Sequence, residues 1–144
     1  MTRRGGRHAD AGRISVFIAI AITGLLAVFG AAVDATGQLR ALLRADNLAA
    51  EAARAAGQAV DLAAVAETGQ HRVDPDLAAS YASQYLAAAG HDLPGSAWAV
   101  QLNPAGTAVD ITVQLTYQHR ILGRFGVPDA QVTGTATAIL VTGP

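Results

Sequence analysis

One uninterrupted apolar stretch limits what this chain can fold into. Ile14 to Val33 is twenty residues without a charge, bracketed by Arg13 and Asp34. At about 1.5 Å per residue, a helix of that length spans roughly 30 Å, the hydrocarbon thickness of a bilayer. A helix in a soluble core seldom runs so long without a polar face. Ser15 and Thr23 fit this reading, because a helical hydroxyl can donate to a carbonyl one turn earlier. Residues 13–34 are therefore read as a transmembrane helix, with Arg13 and Asp34 as its membrane-boundary residues.

The flanks give its direction. Arg3, Arg4, Arg7 and Arg13 precede the stretch against Asp10, whereas Asp34, Arg40 and Arg44 follow it. The arginine excess places the N-terminus in the cytoplasm and the C-terminal part outside a cell membrane crossed once. The rival is a cleaved secretory signal, for which Val33-Asp34-Ala35 offers a small-residue cleavage pattern. Signal apolar regions run about 7–15 residues, however, and this longer stretch favours an uncleaved anchor.

Beyond the anchor there is chain enough for one small domain. The net charge of −1 gives no clustered basic face of the kind nucleic acid requires. With no cysteine, disulfides and thiol chemistry are excluded. The chain also has no lysine, so all ten of its Lys-plus-Arg cations are arginines.

Four segments follow from the patterning. Residues 1–12 are Arg- and Gly-rich and are expected to form a disordered cytoplasmic tail. Within the anchor, Ser15, Ala19, Thr23, Ala27, Ala31 and Ala35 are small and spaced by four, which reads either as alanine richness or as a helix-packing stripe. From residue 38 a heptad appears. Leu42, Ala45, Ala49, Ala52, Ala56, Ala59 and Ala63 fall on steps of three and four. Arg40, Arg44, Asn47, Glu51, Arg54, Gln58 and Asp61 keep the same steps on the opposite side. The spacing predicts an amphipathic helix over 35–67, continuous with the anchor, with Glu51 and Arg54 placed to pair. Ala45, Ala49, Ala52 and Ala56 are the proposed packing residues, admitting a very close neighbour but burying little area each.

Residues 68–144 form the head. Asp74-Pro75-Asp76 is a helix start, Leu77 to Ala89 a second helix, and Gly90 its cap. From Ser96 the period changes to two. Trp98, Val100 and Leu102 alternate, Asn103-Pro-Ala-Gly106 turns, and Val109, Ile111, Val113, Leu115 and Tyr117 alternate again with polar residues. After a long connection from His119 to Ala130, Val132 to Val141 reads as a third strand. The class is α+β: an anchor helix continuing into an amphipathic helix, a short helix, and a small three-stranded antiparallel sheet that the long helix can cover.

No enzyme is visible in this pattern, and no cofactor is implied. His71, His91 and His119 sit in separate loops or strand ends without metal-ligand spacing. Asp74 and Asp76 are explained by helix capping. Gly123-Arg-Phe-Gly126 lacks a phosphate-loop context. Asp34 reads either as a boundary residue snorkelling to the interface or as the partner of an arginine on another subunit.

This layout resembles that of type IV pilin-like subunits. More narrowly, Asn47-Leu-Ala-Ala-Glu-Ala-Ala-Arg-Ala-Ala-Gly57 is similar to the corresponding helix of the TadE/TadG-like proteins of tight-adherence (Flp) pilus systems. The closing Thr133-Gly-Thr-Ala-Thr-Ala-Ile-Leu140 resembles that family's last strand. The resemblance implies a non-enzymatic pilin-like subunit or assembly factor, whose partners are the lipid bilayer and other pilin-like or pilus-assembly membrane proteins. Prepilin peptidase substrates carry a Gly, a hydrophobic residue, and Glu at the fifth mature position. Here Arg13 follows Gly12 and Phe17 takes the fifth place, which favours an unprocessed, TadG-like variant. The alternative class is a stand-alone anchored binding or sensor domain.

Overall fold

A single helix, α1, runs from Arg7 to Ala56, 50 residues or about 75 Å. The computed structural model describes residues 7–71, 73–89, 93, 95–105 and 107–139. Two short helices follow, α2 (Leu62–Thr68) and α3 (Pro75–Ala89), and then three strands, β1 (Ala97–Leu102), β2 (Ala108–Tyr117) and β3 (Ala130–Ile139). A 3-10 turn, Leu122–Phe125, lies in the β2–β3 connection. The class is α+β, with one long apolar N-terminal helix that is long and apolar enough to cross a membrane.

The environment of α1 changes along its length. From Gly12 to Val33 every residue but Gly30 is exposed, including Phe17 at 72% and Phe29 at 69%. Ala45, Ala49, Ala52 and Ala56 on the second half are all 0% exposed. They sit against β2, β3 and α3, as the alternation of small apolar and charged residues requires. The opposite row stays in solvent, where Arg54 Nη1 donates to Glu51 Oε2 at 2.6 Å.

The helix differs from expectation at both ends. It begins by Arg7, so residues 7–12 are helical rather than part of a disordered tail; residues 1–6 and Gly90 lie outside the described residues. At its other end it stops at Ala56 instead of running to residue 67. The last amides tighten to three-residue spacing, with Gln58 N donating to Ala55 O at 3.2 Å and Ala59 N to Ala56 O at 3.1 Å. Val60 then bridges to Val73, and Asp74 N donates to Ala59 O at 2.7 Å. Asp61, assigned above to the polar row, is instead the N-cap of α2, accepting from the amides of Ala63 and Ala64 at 3.0 Å each. Such a cap is worth about 0.5–2 kcal/mol, enough to favour a fresh start over continuation. Ala59 stays buried in the turn, whereas Ala63 is exposed on α2.

Asp74 caps α3, accepting from Asp76 N and Leu77 N at 3.0 Å each. The helix therefore begins at Pro75, whose missing N–H costs nothing in a first turn. Ala78, Ala82 and Leu86, four apart, turn inward.

The sheet order is β1-β2-β3, antiparallel throughout. On its inner face Val109, Ile111, Val113 and Leu115 pair across to Ala138, Ala136, Gly134 and Val132. Those four β2 residues are at most 5% exposed. Each such side chain contributes about 1.5–3 kcal/mol on burial. Val100 and Leu102 share this face in part. Trp98 pairs with Val113 but stays 41% exposed, because α1 covers β2 and β3 rather than the β1 edge. The β1–β2 turn is tied by Asn103 Oδ1, which accepts from Thr107 N at 2.9 Å and Ala108 N at 3.1 Å.

Candidate functional site

The feature the fold builds most deliberately is at the end of the apolar stretch. Asp34 is 1% exposed, the one buried polar or charged residue among those described. Its carboxylate faces three consecutive backbone amides of the β2–β3 connection. Arg120 N donates to Oδ1 at 2.8 Å, Leu122 N to Oδ2 at 2.7 Å, and Ile121 N bridges both at 3.4 and 3.1 Å. Tyr117 Oη donates to Oδ1 at 3.2 Å. Successive N–H groups converging in this way form an anion-binding nest, and the chain fills it with its own side chain. Within the chain, then, the Asp34 carboxylate is already met by four donors: three backbone amides and one phenol.

Two glycines make the approach possible. A Cβ on Gly30 would lie 2.6 Å from Ile121 Cγ2, and one on Gly37 would collide with the Tyr117 hydroxyl. Gly30, Asp34 and Gly37 are spaced by four and three, so they share one helix face. The same face continues through Ala41 and Ala45 to the alanine row under the sheet. This stripe, with Leu48 and Ala53 buried beside it, carries the contact between α1 and the head.

Tyr117 also meets His119 edge-on, with ring centroids 5.4 Å apart and planes at 75°. Burial, then the hydrogen bond it donates to Asp34 and that carboxylate's charge, push the Tyr117 phenol above its usual range; Arg120 partly opposes them. His119 Nδ1 is buried without a hydrogen-bond partner among the described residues. Beside the clasp lies a shallow cleft of about 540 Å³, lined by Thr36, Gly37, Arg40, Tyr117 and Arg120 among others.

The other sequence candidates do not converge. Arg13 lies exposed at the far end of the apolar stretch. His71 is exposed on the α2–α3 connection, His119 sits beside Tyr117, and His91 is outside the described residues. Among the described residues no three His, Asp or Glu side chains gather into a metal-sized group. The row from Ser15 to Ala35 is exposed, and Thr23 Oγ1 donates to Ala19 O at 2.8 Å.

The sequence reading missed the clasp's partners: Tyr117, Arg120, Ile121, Leu122 and the two glycines. The spacing of Gly30, Asp34 and Gly37 was the available signal, but the longer small-residue row at 15–35 obscured it. Comparison with protein-family models, with curated proteins and with solved structures finds no match.

Proposed function

We propose that this protein is a membrane-anchored, non-enzymatic pilin-like subunit or assembly factor of a tight-adherence pilus or a related secretion apparatus. The observation that carries the reading is the division of one unbroken helix. From Ile14 to Val33 it presents an uncharged and almost wholly apolar surface to the surroundings, and its second half holds a three-stranded antiparallel sheet. A helix exposing Phe17, Ile20, Leu25, Leu26 and Phe29 requires lipid or other apolar helices around it. A rigid extension lets such a helix be moved between those two surroundings as one body with its head. The arginine excess before Ile14 supports a cytoplasmic N-terminus and an external head.

Photo-crosslinking from Leu25 and Phe29 in intact host membranes tests this role. Covalent adducts with other single-helix subunits of a pilus or secretion machine are expected. Adducts with lipid alone would overturn it in favour of a stand-alone anchored domain.

A further inference from the structure

The β2–β3 connection is held at a depth that the helix itself measures. Asp34 fixes the amides of Arg120, Ile121 and Leu122 at the end of the apolar stretch. Ile121 reaches further and lies against Gly30, one helical turn inside that stretch, or about 6 Å below Asp34. Gly30 is buried there while its neighbours on α1 are exposed. The 3-10 turn Leu122–Phe125 follows at once, and at about 2 Å per residue it cannot carry the chain far from that level. Its last residue, Phe125, is 79% exposed, the most exposed large apolar side chain among the described residues; Val127 is also open at 38%. Arg120 and Arg124, both exposed, flank this apolar tip.

We infer that the Arg120–Val127 loop is a second membrane contact, with Phe125 entering the outer acyl–headgroup boundary and Arg120 and Arg124 meeting lipid phosphates. The inference rests on the reading of Ile14–Val33 as a membrane span. An aromatic tip with arginines beside it suits this boundary, since the ring displaces water from the acyl region while the guanidiniums stay among phosphates. The clasp then sets the tilt and height of the head above the bilayer.

Tryptophan fluorescence of the full chain in phosphatidylcholine–phosphatidylglycerol vesicles decides the matter, using lipids brominated near the headgroup end of their acyl chains for the loop and lipids brominated near the chain ends for the middle of the span. Trp98 is the chain's single tryptophan. It pairs with Val113, level with Gly134 and Ala45, eleven residues or about 16 Å beyond Asp34, and serves as the unquenched reference. In a Trp98→Phe background, Phe125→Trp is expected to emit at shorter wavelength and lose at least half its emission to bromine. Leu25→Trp in the same background reports the span independently. A quenched Leu25→Trp with a water-like, unquenched Phe125→Trp would overturn the loop contact and leave the anchor standing. Loss of quenching at both positions would overturn the anchor and the loop contact together.

Discussion

Gly134 of β3 lies against the main chain of Ala45 and Asp46 on α1, so close that no side chain fits between strand and helix. A glycine inside a strand weakens it and commonly marks close approach of another backbone. Here that approach is the central crossing of the fold, since Gly134 pairs with Val113 in the middle of the sheet. A methyl group at this point would meet backbone atoms, which cannot swing aside as a flexible side chain can. Gly134→Ala is therefore expected to destabilise the head by about 1–3 kcal/mol or more. Thermal unfolding of the full chain in detergent micelles measures it, and an unchanged transition would mean that the helix can lift off the sheet at little cost.

The alanine row makes a parallel prediction with an internal control. Ala52 is 0% exposed, whereas Gln58 is exposed in the turn after α1. Ala52→Leu should overpack the helix–sheet contact and cost about 1–3 kcal/mol, while Gln58→Leu should be near neutral. Matching shifts in the two variants, read from the same melts, would count against the row as a packing surface.

What was legible in the sequence was whatever a local period or a local cap encodes. The two-residue alternation from Val109 to Leu115 located β2 and its buried face, and Asp74 announced the start of α3. The heptad chose the buried side of α1 correctly as far as Ala56. It failed at Gly57–Asp61, where a regular row of small and polar residues hid a turn. Asp61 can stand on a helix's polar face or cap the next helix, and the Val60–Val73 bridge, a contact across thirteen positions, goes with the second choice. Asp34 was illegible for a related reason. Apart from the Tyr117 hydroxyl, its partners are backbone amides 86 to 88 positions away, and every non-proline residue carries such an amide.

Tyr117 makes the clasp visible to a titration. Its phenol is held above its usual range by burial and by Asp34, so the protonated form is favoured in the folded state. A group with a raised folded pKa contributes stability that is fully present below its unfolded value, about 10, and that is lost as pH rises through the folded value. Tyrosinate absorbance of the folded chain should include a step later than that of a free tyrosine, and Tyr117→Phe should remove that late step. Asp34→Asn should move it earlier, because the negative charge and the strongest acceptor are gone. A Tyr117 step unmoved by Asp34→Asn would show that the two side chains are not coupled.

The clasp should also be a local structure with a local failure. In Asp34→Ala the amides of Arg120, Ile121 and Leu122 lose their acceptor, and the phenol of Tyr117 loses its own. Those amides lie in a connection without strand partners, so nothing else in the ladder holds them. The alanine row from Ala45 to Ala56 and the β2–β3 ladder do not depend on Asp34, and they should keep their order. Hydrogen exchange of the full chain in micelles is the direct measurement. Faster exchange confined to the 117–127 segment is expected in Asp34→Ala, with a smaller effect in Asp34→Asn, whose amide oxygen still accepts but without the charge. Gly37→Ala should act on the same segment from the other side, by displacing Tyr117 from the carboxylate. Exchange that rises across the whole head in Asp34→Ala would instead make the clasp part of the cooperative core, and the connection would then have to be regarded as a structural support of the sheet.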